Sequence, residues 1–220
     1  MIVTIIAGGL IEEDFIKAFV DNLNIDDLYV IACDRGYEAC KKMGIKVNLV
    51  IGDFDSSKEA ALEEIKSAGI KVKVLNPIKD DTDTEAAVRI ALDRTRPGDE
   101  IYLLGATGIR LDHMLGNLNL IGLGLKNNRE VIIMDSHNQI QMIGSGDTYE
   151  ITAEGQFGEY ISVFPYMGKV KGLTMKGFKY PLENADIEGF NTLTVSNELK
   201  DEKGLISVKS GYLIVMETRD

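Results

Sequence analysis

Three short clusters of charged residues carry the side chains best suited to chemistry, and each follows an apolar, strand-like run. They are Asp53-Phe54-Asp55, the segment Lys79-Asp80-Asp81-Thr82-Asp83, and the segment Gly108-Ile109-Arg110-Leu111-Asp112-His113. Open α/β sheets bind their ligands at the carboxyl ends of their strands. Carboxylates with a nearby arginine are the groups needed to hold Mg²⁺ and a polyphosphate.

The first cluster places two carboxylates at the end of one predicted strand. Residues i and i+2 of an extended chain share a face and lie roughly 6.6 Å apart, so Asp53 and Asp55 can both turn toward one cation. Mg²⁺ takes one or two carboxylates plus water and phosphate oxygens, which makes this pair a candidate half-site. The alternative is a turn with solvated acids, followed by a helix that Ser56 or Ser57 caps.

The second cluster combines a lysine with three aspartates in front of a predicted helix. Thr82 or Asp83 is expected to cap that helix, and Glu85 lies in its first turn, where a negative charge is favourable. Capping accounts for only one or two of these residues. The others, Lys79 and Asp80 among them, are candidates for the same phosphate and metal site.

The third cluster begins in a loop of small residues, where the backbone can approach a phosphate closely. Arg110 can bind phosphate oxygens with two N–H groups. His113 and Asn117 are four residues apart and therefore face one side of a predicted helix. The segment lacks the G-x-x-x-x-G-K-[ST] pattern of a Walker A loop. The histidine is either a structural hydrogen-bonding residue or, beside Arg110 and Asp112, part of the site.

Two segments near the start of the chain are weaker candidates. Ala7-Gly8-Gly9 follows the first predicted strand and is either a phosphate-binding turn or only a tight turn. Asp34-Arg35-Gly36 follows the second predicted strand. There Asp34 can contact a ribose or a base, or else cap the next helix.

The elements that must position these residues alternate over the first part of the chain. β-Branched runs predict strands at 2–7, 28–33, 47–51, 72–75, 101–104 and 131–134, and the segments between them predict helices at 12–23, 36–43, 58–68, 83–94 and 111–125. In the fourth helix Ala86, Ala87, Ile90 and Ala91 fall on one face. This alternation predicts a mostly parallel, Rossmann-like α/β domain over residues 1–135, with helices on both faces of its sheet.

The helical periodicity stops after about Gln139. Short runs predict strands at 139–143, 148–151, 160–164, 170–175, 192–195, 205–208 and 212–216, and turn sequences at 144–147 and 165–168 separate several of them. The pattern predicts an antiparallel β-sandwich or jelly-roll domain over residues 136–220.

The composition limits the class of function. The chain has 220 residues, 45% of them hydrophobic, and a net charge of −11. This charge argues against nucleic acid as a partner, because phosphate backbones bind surfaces rich in Lys and Arg. Cys33 and Cys40 give neither a disulfide framework nor a zinc spacing, so buried free thiols are expected. No apolar run approaches the roughly 18 residues of a membrane span and no leader is evident, so we expect a cytoplasmic protein without membrane association.

Together these motifs resemble those of the thiamine pyrophosphokinase family. The resemblance rests on Asp34-Arg35-Gly36, Gly52-Asp53-Phe54-Asp55-Ser56, Asp80-Asp81-Thr82-Asp83, the segment from Gly108 to His113 with Asn117, and Val195-Ser196-Asn197-Glu198. It implies an α/β nucleotide domain and a β domain that binds thiamine. It also implies a homodimer in which thiamine lies where the β domain of one subunit faces the α/β domain of the other. Two positions depart from the common family pattern: Thr194-Val195 stands where Gly-Thr is frequent, and Asp34-Arg35-Gly36 where Asp-Gly-Gly is.

The resemblance also implies roles for individual residues. Asp53, Asp55 and Asp83 would hold Mg²⁺ and position the triphosphate of ATP. Arg110, Asp112 and His113 would contact the phosphates or the reacting hydroxyl, and Ser196 and Asn197 would contact the pyrimidine of thiamine. The remaining candidates for nucleotide binding are Asp34, Gly36, Lys79, Asp80, Thr82 and Asn117.

The implied reaction is an in-line attack of the hydroxyethyl oxygen of thiamine on the β-phosphorus of ATP, with AMP as the leaving group. An aspartate or His113 would take the proton. Two alternatives stay open: a pyrophosphokinase for another alcohol, such as a hydroxymethyl pterin, and a nucleotide-binding sensor without turnover. The set Asp53, Asp55 and Asp83 argues against the sensor, which has less need of several carboxylates. A metal-dependent glycosyltransferase would use the D-x-D pair, but not the second acidic cluster or the β domain.

Overall fold

The chain divides into two compact units, which are Met1–Ser136 and His137–Asp220. A computed structural model describes residues 1–53, 59–75, 81–189 and 191–220. Among these residues, no helix combines the length and the apolar character that crossing a membrane would need. Cys33 and Cys40 are both buried and form no disulfide with each other, as predicted.

The N-terminal unit alternates strands with helices. Its strands are β1 (Ile2–Ile6), β2 (Leu28–Cys33), β3 (Leu49–Gly52), β4 (Lys71–Val74), β5 (Glu100–Leu104) and β6 (Glu130–Met134). Its helices are α1 (Glu13–Asp21), α2 (Arg35–Met43), α3 (Glu59–Ser67), α4 (Asp83–Arg94) and α5 (Leu111–Lys126), with a 3₁₀ turn at Ile25–Asp27. The chain is thus a mixed α/β protein, as predicted.

The strands of this unit pair in parallel in the order β4-β3-β2-β1-β5-β6. The chain adds strands on one side of β1 as far as β4 and then crosses to the other side for β5 and β6. Ile5 of β1 therefore pairs with Ile31 of β2 on one side and with Leu103 of β5 on the other. These three side chains are completely buried, as expected of a parallel sheet with both faces covered.

Small residues bring α4 close to the middle of the sheet. Ala86, Ala87, Val88 and Ala91 are buried, and the helix packs against β1, β2 and β3. Ile90, which the periodicity placed on the buried face, is only partly buried. The Oγ1 of Thr82 accepts a hydrogen bond from the backbone N–H of Glu85 at 3.1 Å, which confirms the predicted cap. The capping role of Ser56 or Ser57 lies outside the described residues.

The C-terminal unit is built from antiparallel strands. They are β7 (Asn138–Ile143), β8 (Thr148–Thr152), β9 (Tyr160–Lys176), β10 (Leu182–Ile187), β11 (Asn197–Glu198), β12 (Lys203–Ser207) and β13 (Ser210–Thr218). Strand β9 pairs with β10, β11, β12 and β13. Its residues Ile161, Val163, Val170 and Leu173 are completely buried in the core of this unit.

Three details of this unit differ from the prediction. The expected turn at 165–168 lies within β9, at an irregularity where Met167 and Gly168 have positive φ values of 55° and 140° and the pairing with β13 shifts register. Strand β10 was missed, since its sequence LENADI is poor in strand-forming residues and is held by pairing with β9. The predicted strand at 192–195 is absent from the described residues of that segment, and a two-residue strand follows at Asn197–Glu198.

Candidate functional site

The loops after β1 and β5 lock together at the carboxyl edge of the parallel sheet. The N–H of Gly9 donates to the carbonyl of Gly105 at 2.9 Å, and the N–H of Leu10 donates to the carbonyl of Thr107 at 3.1 Å. A Cβ at Gly9 would lie 2.5 Å from the Gly105 oxygen, so only glycine permits this approach. The N–H groups of Gly9 and Leu10 thus donate to carbonyls of the protein and are not available to a phosphate. This favours the interpretation of Ala7-Gly8-Gly9 as a tight turn.

The loop after β2 also packs onto the end of β1. A Cβ at Gly36 would lie 2.2 Å from the carbonyl oxygen of Ile6, so this glycine allows α2 to begin against the sheet. The Nη2 of Arg35 donates to the carbonyl oxygen of Gly8 at 2.8 Å. Asp34 is exposed and has φ 48° and ψ −122°. A non-glycine residue in such a conformation stores roughly 1–3 kcal/mol of strain, which is typical of functional loops.

Of the first acidic cluster, Asp53 is described and Asp55 is not. Asp53 is half-buried and directly follows β3. The N–H of Leu75 donates to the carbonyl of Gly52 at 2.9 Å, which joins the ends of β3 and β4 next to Asp53. Of the second cluster, Lys79 and Asp80 also lie outside the described residues.

The second cluster is tied to β2 through a cysteine. Asp83 is half-buried and is the first residue of α4. Its backbone carbonyl accepts a hydrogen bond from the Sγ of Cys33, the last residue of β2, at 3.6 Å. Cys33 in turn pairs with Ile51 of β3, two residues before Asp53. Asp53 follows β3, and Asp83 begins α4. Both are therefore close to the carboxyl end of β2, where Cys33 lies.

The third cluster is exposed at the start of α5. The Nη2 and Nε of Arg110 donate to the two carboxylate oxygens of Asp112 at 2.6 and 3.2 Å, and both side chains are 66% exposed. This hydrogen bond lowers the pKa of the Asp112 carboxyl to about 2. His113 is exposed, whereas Asn117 is buried and its Nδ2 donates to the carbonyl of Ala106 at 2.7 Å. Asn117 therefore fixes the loop between β5 and α5.

The two thiamine-binding candidates in the C-terminal unit differ from each other. Ser196 is exposed, with φ 55°, and its N–H donates to the Oγ of Ser162 at 2.9 Å. Asn197 is 4% exposed. Its Oδ1 accepts from the N–H of Tyr180 at 3.0 Å and its Nδ2 donates to the carbonyl of Tyr180 at 2.8 Å. Asn197 thus joins two backbone segments, while Ser196 faces solvent.

Two residues that make long-range contacts within the N-terminal unit were not singled out from the sequence. Cys33 was expected only to be a buried thiol, and its bond to the Asp83 carbonyl had no sequence signal. Glu12 accepts hydrogen bonds from the N–H and the Oγ of Ser136 at 2.9 and 2.6 Å, and so fixes the last residue of the N-terminal unit to the start of α1. No local pattern joins residues so far apart in sequence.

Fold and site together define a class: a two-unit protein whose α/β unit carries carboxylates and an arginine at the carboxyl edge of its sheet, followed by an antiparallel β unit. A family model for "Thiamin pyrophosphokinase, catalytic domain" matches residues 20–133, and one for "Thiamin pyrophosphokinase, vitamin B1 binding domain" matches residues 148–213.

Similar proteins and structures agree with these matches. The chain is 35% identical to thiamine pyrophosphokinase of Bacillus subtilis over 218 residues, which cover 99% of both proteins. The crystal structure of thiamine pyrophosphokinase from B. subtilis has a TM-score of 0.87 at 33% identity and covers 100% of both chains. That from Geobacillus thermodenitrificans has a TM-score of 0.83 at 31% identity and covers 100% of this chain and 98% of its own. The chain belongs to the thiamine pyrophosphokinase family.

Proposed function

We propose that the chain transfers the pyrophosphoryl group of ATP to the hydroxyl of thiamine in a Mg²⁺-dependent reaction that gives thiamine diphosphate and AMP. The observation that carries this proposal is the 35% identity to the B. subtilis enzyme across 99% of both proteins. The positions support it, because Asp53 directly follows β3, Asp83 begins α4 and Arg110 directly precedes α5. A pterin pyrophosphokinase and a sensor without turnover are not favoured by the family matches.

The donor set fits Mg²⁺. We propose Asp53, Asp55 and Asp83 as the ligands, and carboxylate oxygens are the donors that this hard cation prefers. Among the described residues, no group of three or more His, Cys, Asp or Glu side chains is placed to hold a metal alone. Mg²⁺ commonly takes only one or two protein carboxylates and completes its shell with water and substrate phosphates. When bound, the ion would neutralise charge on the transferred phosphates.

The exposed third cluster suits the phosphates of ATP. Arg110 already presents two N–H groups in parallel to a carboxylate, which is the geometry that it would offer to phosphate oxygens. Asp112 stays ionised at neutral pH, so it orients the guanidinium without competing for a proton. His113 is next to this pair and exposed, where it can contact the phosphates or accept the proton of the attacking hydroxyl.

We propose the remaining nucleotide contacts from the places of the residues along the chain. Asp34 would reach the ribose or base from the strained turn after β2, with Gly36 allowing that turn to pack. Lys79, Asp80 and Thr82 would lie near the phosphates before α4. Asn117 would act through the loop that it fixes at Ala106.

For thiamine we propose Ser196 as a direct contact and Asn197 as the residue that positions it. The hydroxyl of Ser196 is on an exposed turn, whereas both ends of the Asn197 amide are bonded to Tyr180. We propose that residues 1–135 form a Rossmann-like nucleotide- and Mg²⁺-binding domain and that residues 136–220 form a sandwich or jelly-roll domain that binds thiamine. We further propose that the protein is a cytoplasmic homodimer, and sedimentation at micromolar concentration tests the dimer.

The decisive experiment is product analysis by phosphorus NMR after the protein is mixed with Mg²⁺, ATP and thiamine. We expect AMP and thiamine diphosphate to form in equal amounts. ADP with thiamine monophosphate would instead indicate transfer of the γ-phosphoryl group and overturn the proposal. A parallel reaction with a hydroxymethyl pterin in place of thiamine should give no AMP above the rate with ATP alone.

A further inference from the structure

A second cleft lies at the opposite edge of the parallel sheet, away from every residue proposed above for catalysis. It has a volume of about 480 Å³ and is lined by Tyr29, Tyr37, Lys41, Lys46, Ile70 and Lys71, among others. Tyr29 lies near the start of β2, and Lys71 is the first residue of β4. The amino ends of these parallel strands therefore form the cleft, which we call the lysine cleft. All its lining residues are described.

The charge of the lysine cleft is unusual for this chain. The protein carries 35 acidic residues against 24 Lys and Arg, yet the charged residues that line the cleft are three lysines, with no Asp or Glu among the lining residues. Lys41 is accounted for locally, because it forms an ion pair with Glu64 and lies in the last turn of α2, where a cation is favourable. Lys46 and Lys71 lie outside helices, and the structure records no ion pair for either within the described residues.

Tyr29 forms part of one wall of the lysine cleft. The guanidinium of Arg94 lies 4.2 Å from the centre of the Tyr29 ring, which fixes the ring in place.

The rest of the lining suits the organic part of a ligand. Ile45, Val47 and Ile70 supply apolar surface, and Tyr37 supplies an aromatic ring. Burial raises the pKa of Tyr37, so its hydroxyl keeps its proton and can donate. A site of roughly 300–1,000 Å³ with apolar walls and a few converging polar groups is typical of small-molecule binding. Lysine ammonium groups are common phosphate ligands.

We propose that the lysine cleft is a binding site for a small organic phosphate of about mononucleotide size. The phosphate contacts Lys46 and Lys71, and the organic part packs on Tyr37 and Ile70. The site is separate from the carboxyl edge of the sheet. It does not depend on the proposed catalytic function and does not use Mg²⁺.

The test uses AMP as the probe, with adenosine and inorganic phosphate as its two halves, in titrations without Mg²⁺. Amide NMR locates the site: AMP should shift the signals of Gly69, Ile70 and Lys71. Changes confined to Gly9 and the 105–108 loop would place AMP at the catalytic edge and overturn the proposal. Failure of AMP to bind at millimolar concentration would also overturn it.

Matched variants test the proposed contacts. Lys46→Gln with Lys71→Gln should weaken AMP binding at the lysine cleft by about tenfold or more, and the loss should shrink at high salt. Lys73→Gln is the control, because Lys73 is two residues further along β4 but does not line the cleft. Equal affinities in the double variant and the control, or adenosine binding as tightly as AMP, would exclude a phosphate site.

Discussion

The start of α5 and the segment 194–197 of the β unit use polar side chains in opposite ways. Arg110 and Asp112 are exposed and bond to each other. Thr194 and Asn197 are buried and bond to backbone groups, the Thr194 hydroxyl to Val163 and the Asn197 amide to Tyr180. In the first region, changes of charge should alter ligand binding without altering the stability of the fold. In the second, a loss of binding can be a loss of structure.

The largest effect is expected at the proposed Mg²⁺ site, where a change of charge should affect ligand binding more than the fold. Asp53→Asn removes a charge that the proposed Mg²⁺ site needs and should lower turnover by about 100-fold or more. The melting temperature should stay close to that of the unchanged protein, because polar changes at strand ends are rarely structural. Steady-state kinetics and thermal unfolding check both statements.

Asp93→Asn is the matched control for this prediction, since Asp93 is exposed on α4 away from its first turn. Its turnover should be unchanged. Near-normal turnover of Asp53→Asn would remove Asp53 from the metal site.

Adjacent variants in the β unit should separate structure from binding. Asn197→Ala leaves the N–H and the carbonyl of Tyr180 without their partner and should cost about 1–3 kcal/mol in the free energy of unfolding. Ser196→Ala should change that free energy by less than about 0.5 kcal/mol but raise the KM for thiamine several-fold. Denaturant unfolding and thiamine kinetics measure the two effects. If both variants lost the same stability, the contrast between these neighbours would be wrong.

Arg110→Ala should raise the KM for ATP by about tenfold with no loss of stability, because the side chain is exposed and its partner is an equally exposed carboxylate. Arg110→Lys should recover only part of the loss, since lysine cannot form the two parallel bonds. Lys17→Ala is the control: Lys17 also forms an exposed ion pair with a carboxylate, that of Asp21, but lies on α1. An equal rise in KM for this control would show a general charge effect.

The smallest effect concerns pH. The pKa of Asp112 is lowered from 3.8 to about 2, so the ion pair with Arg110 is present above about pH 4 and is lost only as the pH falls through about 2. The ratio of the KM for ATP in Asp112→Asn to that in the unchanged protein should therefore be constant between pH 5 and 8. A ratio that changes across this range would indicate that Asp112 titrates there.

The alternation of buried strands and helices made the N-terminal unit predictable, because each buried strand and each helix leaves its own periodicity in the sequence. The β unit was harder. Strand β10 has few strand-forming residues, and β9 continues past Pro165 and Gly168 with a shift in its register with β13. Pairing with distant strands decides both features, and local propensity does not record it.

For the candidate site, the positions of the residues could be predicted from the sequence, but the contacts that hold them could not. The positions of Asp53, Asp83 and Arg110 after strands or before helices followed from local patterns. The bonds of Asn197 did not, because its partner Tyr180 is 17 residues away and outside any recognisable motif. Gly36 was considered as a nucleotide contact, yet the structure explains it by the 2.2 Å that a Cβ would leave to Ile6.

The position of β1 has a consequence for synthesis of the chain. Its second neighbour, β5, is encoded about a hundred residues later, so the pairing of Ile2 with Glu100 and of Ile6 with Leu104 waits for a long stretch of translation. At about 5–20 residues per second, one edge of the central strand stays uncovered on the ribosome for roughly 5–20 s. During that interval β1 is a hydrophobic strand with an open edge, and the nascent chain is most exposed to aggregation or chaperone binding just before β5 emerges.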